Sequence, residues 1–182
     1  RELRLIAAER GETIEIVGMG GPEMRKADID IRVDSTELGV VGVIEVLKHI
    51  FTFIGIFFRL VGQAKRERPG AVVLIDYPGF NLLFALMMYR HRIPVIWYVC
   101  PHLWVWGKWR LPVLAKICTK MLVIFPFETE VFAHTKLRTE FVGHPLIDIV
   151  ADRRIPGVER NPEDFLLLPG SRTMEINFLL YP

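Results

Sequence analysis

The chain has 182 residues and is 51% hydrophobic, which is enough to bury one sizeable core and a little more. Its 23 basic and 21 acidic residues leave a formal net charge of +2, which gives no electrostatic argument for nucleic-acid binding. The longest purely apolar stretches are shorter than the ~20 residues that a membrane-spanning helix needs. Cys100 and Cys118 lack metal-ligand spacing, so we expect buried thiols in a reducing compartment.

Short apolar runs alternate with helical segments along the chain. This alternation, with connections of this length, predicts right-handed βαβ units and a parallel sheet, and therefore the α/β class. Residues 71–75 (AVVLI) are a continuous apolar run, so this strand is expected to be buried on both faces. The predicted strands are 14–17, 71–75, 95–99, 121–124 and 141–142. The predicted helices are the end of one at 4–9, then 38–66, 81–90, 111–119 and a short one from Glu128.

The end of the chain changes in composition. Residues 151–164 (ADRRIPGVERNPED) are polar and contain two prolines, which is typical of an interdomain linker. Residues 1–150 would then form a first domain, and residues 165–182 would open a second one with a strand at 165–168. Because the chain begins without a methionine and stops soon after this strand, we expect an internal piece of a longer protein.

Asp76 is the first candidate for chemistry. It directly follows the apolar run at 71–75, and doubly wound α/β folds bind ligands at the carboxyl ends of their strands. A partly desolvated carboxylate in that place can act as a general base. The same side chain can instead cap the helix that begins near Asn81, or brace the turn formed by Pro78 and Gly79.

Two further features of the first half have both a functional and a structural interpretation. Gly18, Gly20 and Gly21 follow the first predicted strand, where glycine permits either close approach of the backbone to a ligand or a simple tight turn. Glu45 lies among Val, Ile, Leu and Gly residues, where an unpaired carboxylate is costly. It therefore faces a partner or a cleft, or else it faces solvent on an exposed helix position.

Two candidates lie near the predicted domain boundary. His144 stands between Gly143 and Pro145 at a strand end, where it either hydrogen-bonds a ribose or phosphate in an interdomain cleft or packs the start of the linker. Arg172 follows the strand at 165–168, at a predicted helix N-terminus that favours an anion. Its guanidinium suits a pyrophosphate, although an exposed arginine at a helix start is the equal alternative.

Residues 50–61 (IFTFIGIFFRLV) distribute phenylalanines around all sides of a helix. This pattern predicts a helix that is either buried in protein or inserted in a membrane interface. Basic residues at 65, 66 and 68 follow at once and favour an anionic leaflet. The four phenylalanines are Phe51, Phe53, Phe57 and Phe58.

A second aromatic segment, residues 97–110, contains four tryptophans together with Lys108 and Arg110. Tryptophan prefers the headgroup region of a bilayer, but a loop folded into the core by Pro101 would use the same residues. Trp104 and Trp106 are the candidates for lipid contact in this segment.

Seven short signatures stand where apolar runs end. They are VGMGGPEM (17–24), ELGVVGVIEVL (37–47), IDYPGFN (75–81), WYVCPHLWVW (97–106), FPFE (125–128), FVGHPL (141–146) and LLPGSR (167–172). Their order and spacing resemble the lipid-A-disaccharide synthases, a family of membrane-associated glycosyltransferases, and the resemblance covers almost the whole chain. It implies a Rossmann-like domain of a two-domain GT-B glycosyltransferase, without its first strand and loop, and a piece that is inactive alone.

The resemblance also implies the reaction. It is an inverting transfer from UDP-2,3-diacylglucosamine to 2,3-diacylglucosamine 1-phosphate (lipid X), which forms lipid A disaccharide 1-phosphate and UDP without a metal or another cofactor. Both substrates carry acyl chains, so the protein is expected to lie peripherally on the cytoplasmic face of the inner membrane of a Gram-negative bacterium. Nucleic acid is not an expected partner.

Residue roles follow from the same resemblance. Asp76 would deprotonate the acceptor 6-hydroxyl, and Arg172 would stabilise charge on the departing UDP. The family pattern often has a second acid where this chain has Gly79, which removes one candidate acid. The implied substrate-binding residues are Gly20, Gly21, Glu45, Asn81, His144, Arg172 and Glu175, and the implied lipid contacts are Phe53, Phe57, Phe58, Trp104 and Trp106.

Two alternatives remain open at this point. One is another GT-B transferase or epimerase that uses a UDP-sugar and a non-lipidic acceptor, for which residues 50–61 would be ordinary core. The other is a non-catalytic membrane-binding module, in which Asp76 would contribute to stability and not to turnover.

Overall fold

The computed structural model describes residues 2–34, 50–103 and 107–152, together with residues 163, 165 and 176. The chain divides into two compact units, Arg1–Gly143 and His144–Pro182. In the second unit the described helix is α7 (Pro145–Asp152), which includes the first two residues of the predicted linker. The rest of that linker lies outside the described residues apart from Glu163, so the predicted domain limits stay predictions.

The first unit begins with a small parallel sheet. Helix α1 (Glu2–Glu9) precedes strand β1 (Val17–Gly20), and helix α2 (Pro22–Lys26) leads to strand β2 (Asp30–Asp34). The two strands pair in parallel with a register shift between Gly18 and Met19. The strand predicted at 14–17 thus lies three residues later, and neither α2 nor β2 is among the predicted elements.

The main sheet has four parallel strands in the order β3-β4-β5-β6, which confirms the α/β class with a Rossmann-like parallel arrangement. A long helix, α3 (Ile50–Glu67), precedes it, and helices alternate with its strands. The strands are β3 (Val72–Ile75), β4 (Val95–Tyr98), β5 (Lys120–Val123) and β6 (Arg138–Phe141), and the connecting helices are α4 (Pro78–Arg90), α5 (Leu111–Ile117) with a preceding 3₁₀ turn (Lys108–Arg110), and α6 (Glu128–Val131).

Helix α4 begins and ends where its residues permit. Pro78 occupies the first turn, where its missing N–H costs no hydrogen bond, so the helix starts three residues before the predicted Asn81. At its other end Arg92 adopts a left-handed conformation with φ 58°, a common way to stop a helix. The chain then turns directly into β4, which keeps the β3–α4–β4 unit short.

The core lies between the main sheet and the helices that precede and connect its strands. Trp97 and Val95 of β4, Met121 and Val123 of β5, and Met88 of α4 are fully buried. Buried and half-buried side chains alternate along β4 and β5, so one face of the sheet packs into this core and the other is partly exposed. Cys100 and Cys118 belong to the same core as free thiols, as the sequence predicted.

Strand β3 departs from its prediction. Its run of apolar residues was expected to be buried on both faces, but Val73 is 51% exposed and Ile75 is 57% exposed, whereas Leu74 is buried. β3 is an edge strand of the four-stranded sheet, and in the described part of the chain only its Leu74 side joins the core. The prediction of two buried faces was wrong because an apolar run in the sequence does not indicate whether other elements pack on one face of the strand or on both.

Within the described residues, no helix combines the length and the apolar character required to cross a bilayer. The longest helix among them, α3, has 18 residues and carries Arg59 together with the basic residues of its last turn.

We expect Met88→Ala to lower the free energy of unfolding by about 2–5 kcal/mol, because a fully buried side chain would be replaced by a cavity. Leu83→Ala on the same helix is the matched control. Leu83 is largely exposed, so its change should stay within about 0.5 kcal/mol. Urea unfolding followed by circular dichroism measures both, and equal effects would contradict this placement of the core.

Candidate active site

Asp76 directly follows β3 at the carboxyl end of the sheet. Its backbone N–H donates to the carbonyl oxygen of Tyr98 at 3.2 Å, which continues the β3–β4 pairing one residue past the strand. Its side chain is exposed, so the partial desolvation expected from the sequence is not present in the structure. The carboxylate is therefore accessible at the edge where parallel α/β sheets bind ligands.

The backbone around Asp76 is strained. Asp76 has φ 48° and Tyr77 has φ 42°, so two successive non-glycine residues adopt the left-handed conformation. Val99, which follows the neighbouring strand β4, has φ 67°, a rare value for a β-branched residue. Each such residue costs about 1–3 kcal/mol, and such strain is concentrated at functional sites in proteins.

Asn81 is the described residue that contacts this turn through its side chain. Its Nδ2 donates to the carbonyl oxygen of Asp76 at 2.7 Å and to that of Ile75 at 3.2 Å. Asn81 lies in the first turn of α4 and is only 8% exposed. The predicted substrate-binding residue is thus located beside the predicted base, with its amide engaged by the backbone.

Glu128 was not predicted as a site residue, although the signature that contains it was noted. It is 1% exposed, and its Oε2 accepts the backbone N–H of Phe125 at 3.1 Å. Its Oε1 has no hydrogen-bond partner among the described residues. One signal in the sequence could have indicated Glu128: the signature FPFE directly follows the apolar run of β5, and residues that follow such a strand lie at the edge of the sheet.

Burial dominates the electrostatics of the two thiols. It raises the pKa of Cys100 to about 12, and the negative charge of Glu128 adds to this effect. Burial likewise raises the pKa of Cys118 to about 12. Both thiols therefore stay protonated at neutral pH, which fits packing in the core and not nucleophilic chemistry.

Two buried N–H groups lack an acceptor in the part of the chain that the structure describes. They are Nε1 of Trp97 and Nε of Arg110. Both residues line a narrow recess that also includes Pro78 and Pro101. The recess has no room for a water molecule, so the two donors are unpaired within the described residues and are not open to a ligand.

The glycine cluster has a packing explanation in the structure. A Cβ at Gly20 would overlap Sδ of Met24, and one at Gly18 would lie 3.4 Å from Cε of the same residue. Met24 of α2 therefore occupies the space that the glycines leave. Gly21 precedes α2 as its N-cap residue. The predicted role of Gly20 and Gly21 in a substrate cleft remains a prediction.

His144 lies in the second compact unit. Its Nδ1 accepts the backbone N–H of Leu146 at 3.2 Å, at the beginning of α7. Gly143, just before it, has φ 83°, which glycine adopts without strain. The ring thus organises the start of α7, and contact with a substrate stays a prediction.

Five predicted residues cannot be located in the same way. Glu45, Trp104, Trp106, Arg172 and Glu175 lie outside the residues that the structure describes. Within the described residues, no three His, Cys, Asp or Glu side chains are grouped so that they could hold a metal ion.

Helix α3 has a packed face and an exposed face. The ring of Phe57 makes edge-to-face contacts with Phe80 and Phe84, at centroid distances of 5.4 and 6.0 Å. Phe51 is 83% exposed and Phe58 is 62% exposed, whereas Phe53 is half-buried. The phenylalanines therefore do not surround an evenly buried helix, since Phe57 points into the protein and Phe51 and Phe58 point into solvent.

Comparison with known proteins gives the family. A family model described as lipid-A-disaccharide synthetase matches residues 2–182. The chain belongs to this family. The lipid-A-disaccharide synthase of Koribacter versatilis is 38% identical over 176 residues, which are 93% of this chain and 46% of the relative. The synthase of Geobacter sulfurreducens is 38% identical over 162 residues, covering 89% of this chain and 42% of the relative.

A third relative shows the same relation in length. The lipid-A-disaccharide synthase of Syntrophus aciditrophicus is 34% identical over 179 residues, which are 94% of this chain and 47% of the relative. The chain thus spans about half the length of the curated synthases that it matches. The resemblance inferred from the seven signatures is confirmed.

Gly79 stands where the family resemblance implies a second acid in many members. A Cβ added at this position would meet no atom within 4 Å. Gly79 lies in the first turn of α4, two residues after Tyr77. Packing therefore does not explain the absence of an acid there.

We expect both thiols to react at least about 100-fold more slowly than free cysteine with iodoacetamide at pH 8, because little thiolate forms in the folded state. Mass spectrometry before and after urea unfolding measures the labelling. Because the folded-state pKa values lie above the ordinary value of 9.0, the free energy of unfolding should also fall as the pH rises from about 9 to about 12. Rapid labelling of the folded chain would contradict the described burial.

Proposed function

We propose that the whole protein to which this chain belongs transfers the diacylglucosaminyl group of UDP-2,3-diacylglucosamine to 2,3-diacylglucosamine 1-phosphate. The products are lipid A disaccharide 1-phosphate and UDP. Membership of the lipid-A-disaccharide synthetase family supports the formation of a lipid A disaccharide. The observation that carries the proposal within this chain is the accessible carboxylate of Asp76 in a strained turn at the carboxyl end of β3.

In the proposed reaction Asp76 acts as the general base. Its carboxylate accepts the proton of the acceptor 6-hydroxyl while the hydroxyl oxygen forms a bond to the anomeric carbon of the donor. The bond between that carbon and the UDP oxygen breaks, and its electron pair leaves with UDP. Attack opposite to the leaving group in one step inverts the configuration at the anomeric carbon, so the β-linked disaccharide forms from an α-linked donor.

In the proposed reaction, residues near position 172 bind the UDP-sugar donor. Arg172 would stabilise the negative charge that develops on UDP, since a guanidinium donates several hydrogen bonds to phosphate oxygens. Glu175 and His144 would contribute to the same nucleotide-sugar site. Gly20, Gly21 and Glu45 would belong to the acceptor side. These assignments rest on the family pattern and on the residue chemistry.

We also propose that the protein binds the membrane surface through α3. Phe51, Ile54 and Phe58 follow each other at intervals of three and four residues and are all exposed, so they form one apolar stripe along the helix. The exposed basic residues Lys65 and Arg66 lie in the last turn, and Arg68 follows it. An apolar stripe beside cations is the arrangement that favours an anionic lipid surface.

Acylated substrates provide the reason for such a surface. Their chains reside in a bilayer, so the sugar groups reach the enzyme only if it docks there. We therefore propose a peripheral position on the cytoplasmic face of the inner membrane. Trp104 and Trp106 remain proposed lipid contacts in a second segment, and Phe53 is a candidate at the margin of the α3 stripe. Phe57, which packs against Phe80 and Phe84, would support the stripe from inside.

We expect Asp76→Asn in the whole protein to lower acceptor-dependent UDP release by about 100- to 10,000-fold, the usual contribution of a general base. Release is measured with both acylated substrates in detergent micelles. Asp148→Asn, which changes an exposed aspartate of α7, is the control and should retain activity. Circular dichroism verifies that both variants remain folded.

Three results of this assay would separate the proposal from its alternatives. Full activity of Asp76→Asn would show that Asp76 is not the base. UDP release that does not depend on lipid X would indicate another enzyme that uses UDP-sugars. No release from the wild-type protein with any acceptor would favour a membrane-binding module without catalysis.

We expect the double variant Phe51→Ser and Phe58→Ser to lose at least about tenfold in binding to vesicles that contain phosphatidylglycerol, because two exposed rings would no longer be inserted. Phe165→Ser is the matched control, since Phe165 is an exposed phenylalanine of the other compact unit. Co-sedimentation at low and high salt measures the binding. Equal binding of the double variant and the control would exclude the α3 stripe as the lipid contact.

A further inference from the structure

The turn at Asp76 and Tyr77 needs a reason to remain left-handed. Glycine and asparagine adopt positive φ most readily, aspartate does so occasionally and tyrosine rarely, so a turn with both Asp76 and Tyr77 left-handed is not favoured by its own residues. A conformation of this kind persists only where surrounding contacts hold it. The described contacts of the turn therefore indicate which residues keep it in place.

Asn81 makes those contacts with three successive residues. Its side-chain Nδ2 donates to the carbonyl oxygens of Ile75 and Asp76, at 3.2 and 2.7 Å. Its backbone N–H donates to the carbonyl oxygen of Tyr77 at 3.1 Å. One residue of α4 thus binds the last residue of β3 and both left-handed residues.

The chemistry of the amide group suits this task. Two carbonyl oxygens need two N–H donors from the same side, and the NH₂ group of asparagine supplies both from one nitrogen. Aspartate has the same shape but only acceptor oxygens when ionised, so it would face the two carbonyls without a donor. Because Asn81 is buried, water does not easily replace the missing donor.

We propose that Asn81 is a positioning residue for the general base: it holds the turn at Asp76 and Tyr77 left-handed and so fixes the direction of the Asp76 carboxylate. This inference rests on the proposed function, in which Asp76 removes the proton of the acceptor hydroxyl. It differs from the role that the family resemblance implied for Asn81, because the amide acts on the backbone of Asp76 and not on the substrate.

The backbone dihedral explains how the effect reaches the carboxylate. Rotation of φ at Asp76 from a positive to a negative value turns its Cα–Cβ bond relative to the end of β3. The side chain then leaves from the sheet edge in another direction, although the residue is still present. A displacement of about 1 Å between a base and its proton can lower a rate by about 100-fold.

The test compares kcat and KM of the whole protein for Asn81→Ala and Asn81→Asp. We expect kcat to fall by about 10- to 100-fold in both variants, with KM for lipid X changed by less than about threefold, because the substrate contacts persist while the base is misdirected. The core variant Met88→Ala controls for lost stability. At a temperature where it is folded, its kcat should stay within about threefold of wild type.

A second-site change makes the test specific to the turn. Tyr77→Gly removes the cost of positive φ at one of the two strained residues. In the double variant with Asn81→Ala it should restore kcat by at least about fivefold, relative to the effect of Tyr77→Gly alone. A residue that acts only through general stability would not show this rescue by glycine at one particular dihedral.

Other outcomes would overturn the inference. A raised KM with unchanged kcat would assign Asn81 to substrate binding, and losses proportional to the unfolded fraction would assign it to stability alone. Wild-type kcat in Asn81→Ala, with Asp76→Asn inactive, would contradict only the positioning role. Full activity of Asp76→Asn would instead contradict the proposed function itself, so the two failures are distinguishable.

Discussion

The parallel pairing of β3 with β4 is the constraint on which the candidate site depends. Their register places Val72 opposite Val95 and Ile75 opposite Tyr98, so both strands end at the same level of the sheet. The hydrogen bond from Asp76 to Tyr98 extends that pairing into the turn. Trp97 is fully buried and fixes β4 in the core. The position of Asp76 is therefore set by the packing of the sheet.

Much of the main sheet could be predicted because its interior strands are apolar at nearly every position. The segments around Val95–Tyr98 and Lys120–Val123 gave correct strands with limits that differ by one residue. The strand Asp30–Asp34 was not predicted because charged residues alternate with apolar ones along it, as they do in an exposed sheet. Exposure of β3 and the two faces of α3 depend on which neighbours exist in space, and no local pattern contains that information.

The candidate site also has a part that could be predicted from the sequence and a part that could not. The position of Asp76 after an apolar run was sufficient to select it. Its left-handed backbone was not predictable, because aspartate adopts positive φ only occasionally and tyrosine rarely, and the residue that holds the turn, Asn81, lies four to five residues later. The burial of Glu128 is likewise a tertiary property, since glutamate is ordinarily exposed and only the packing around α6 encloses it.

Gly79 gives the turn a different charge balance from the one that the family pattern implies. The position has room for a side chain, and it lies in the first turn of α4, where the partial positive charge of the helix end favours an acid by about 0.3–1 kcal/mol. Glycine forgoes that stabilisation. Compared with a turn that carries an acid at both positions, this turn has one carboxylate in place of two, so an anionic group near Asp76 meets less electrostatic repulsion.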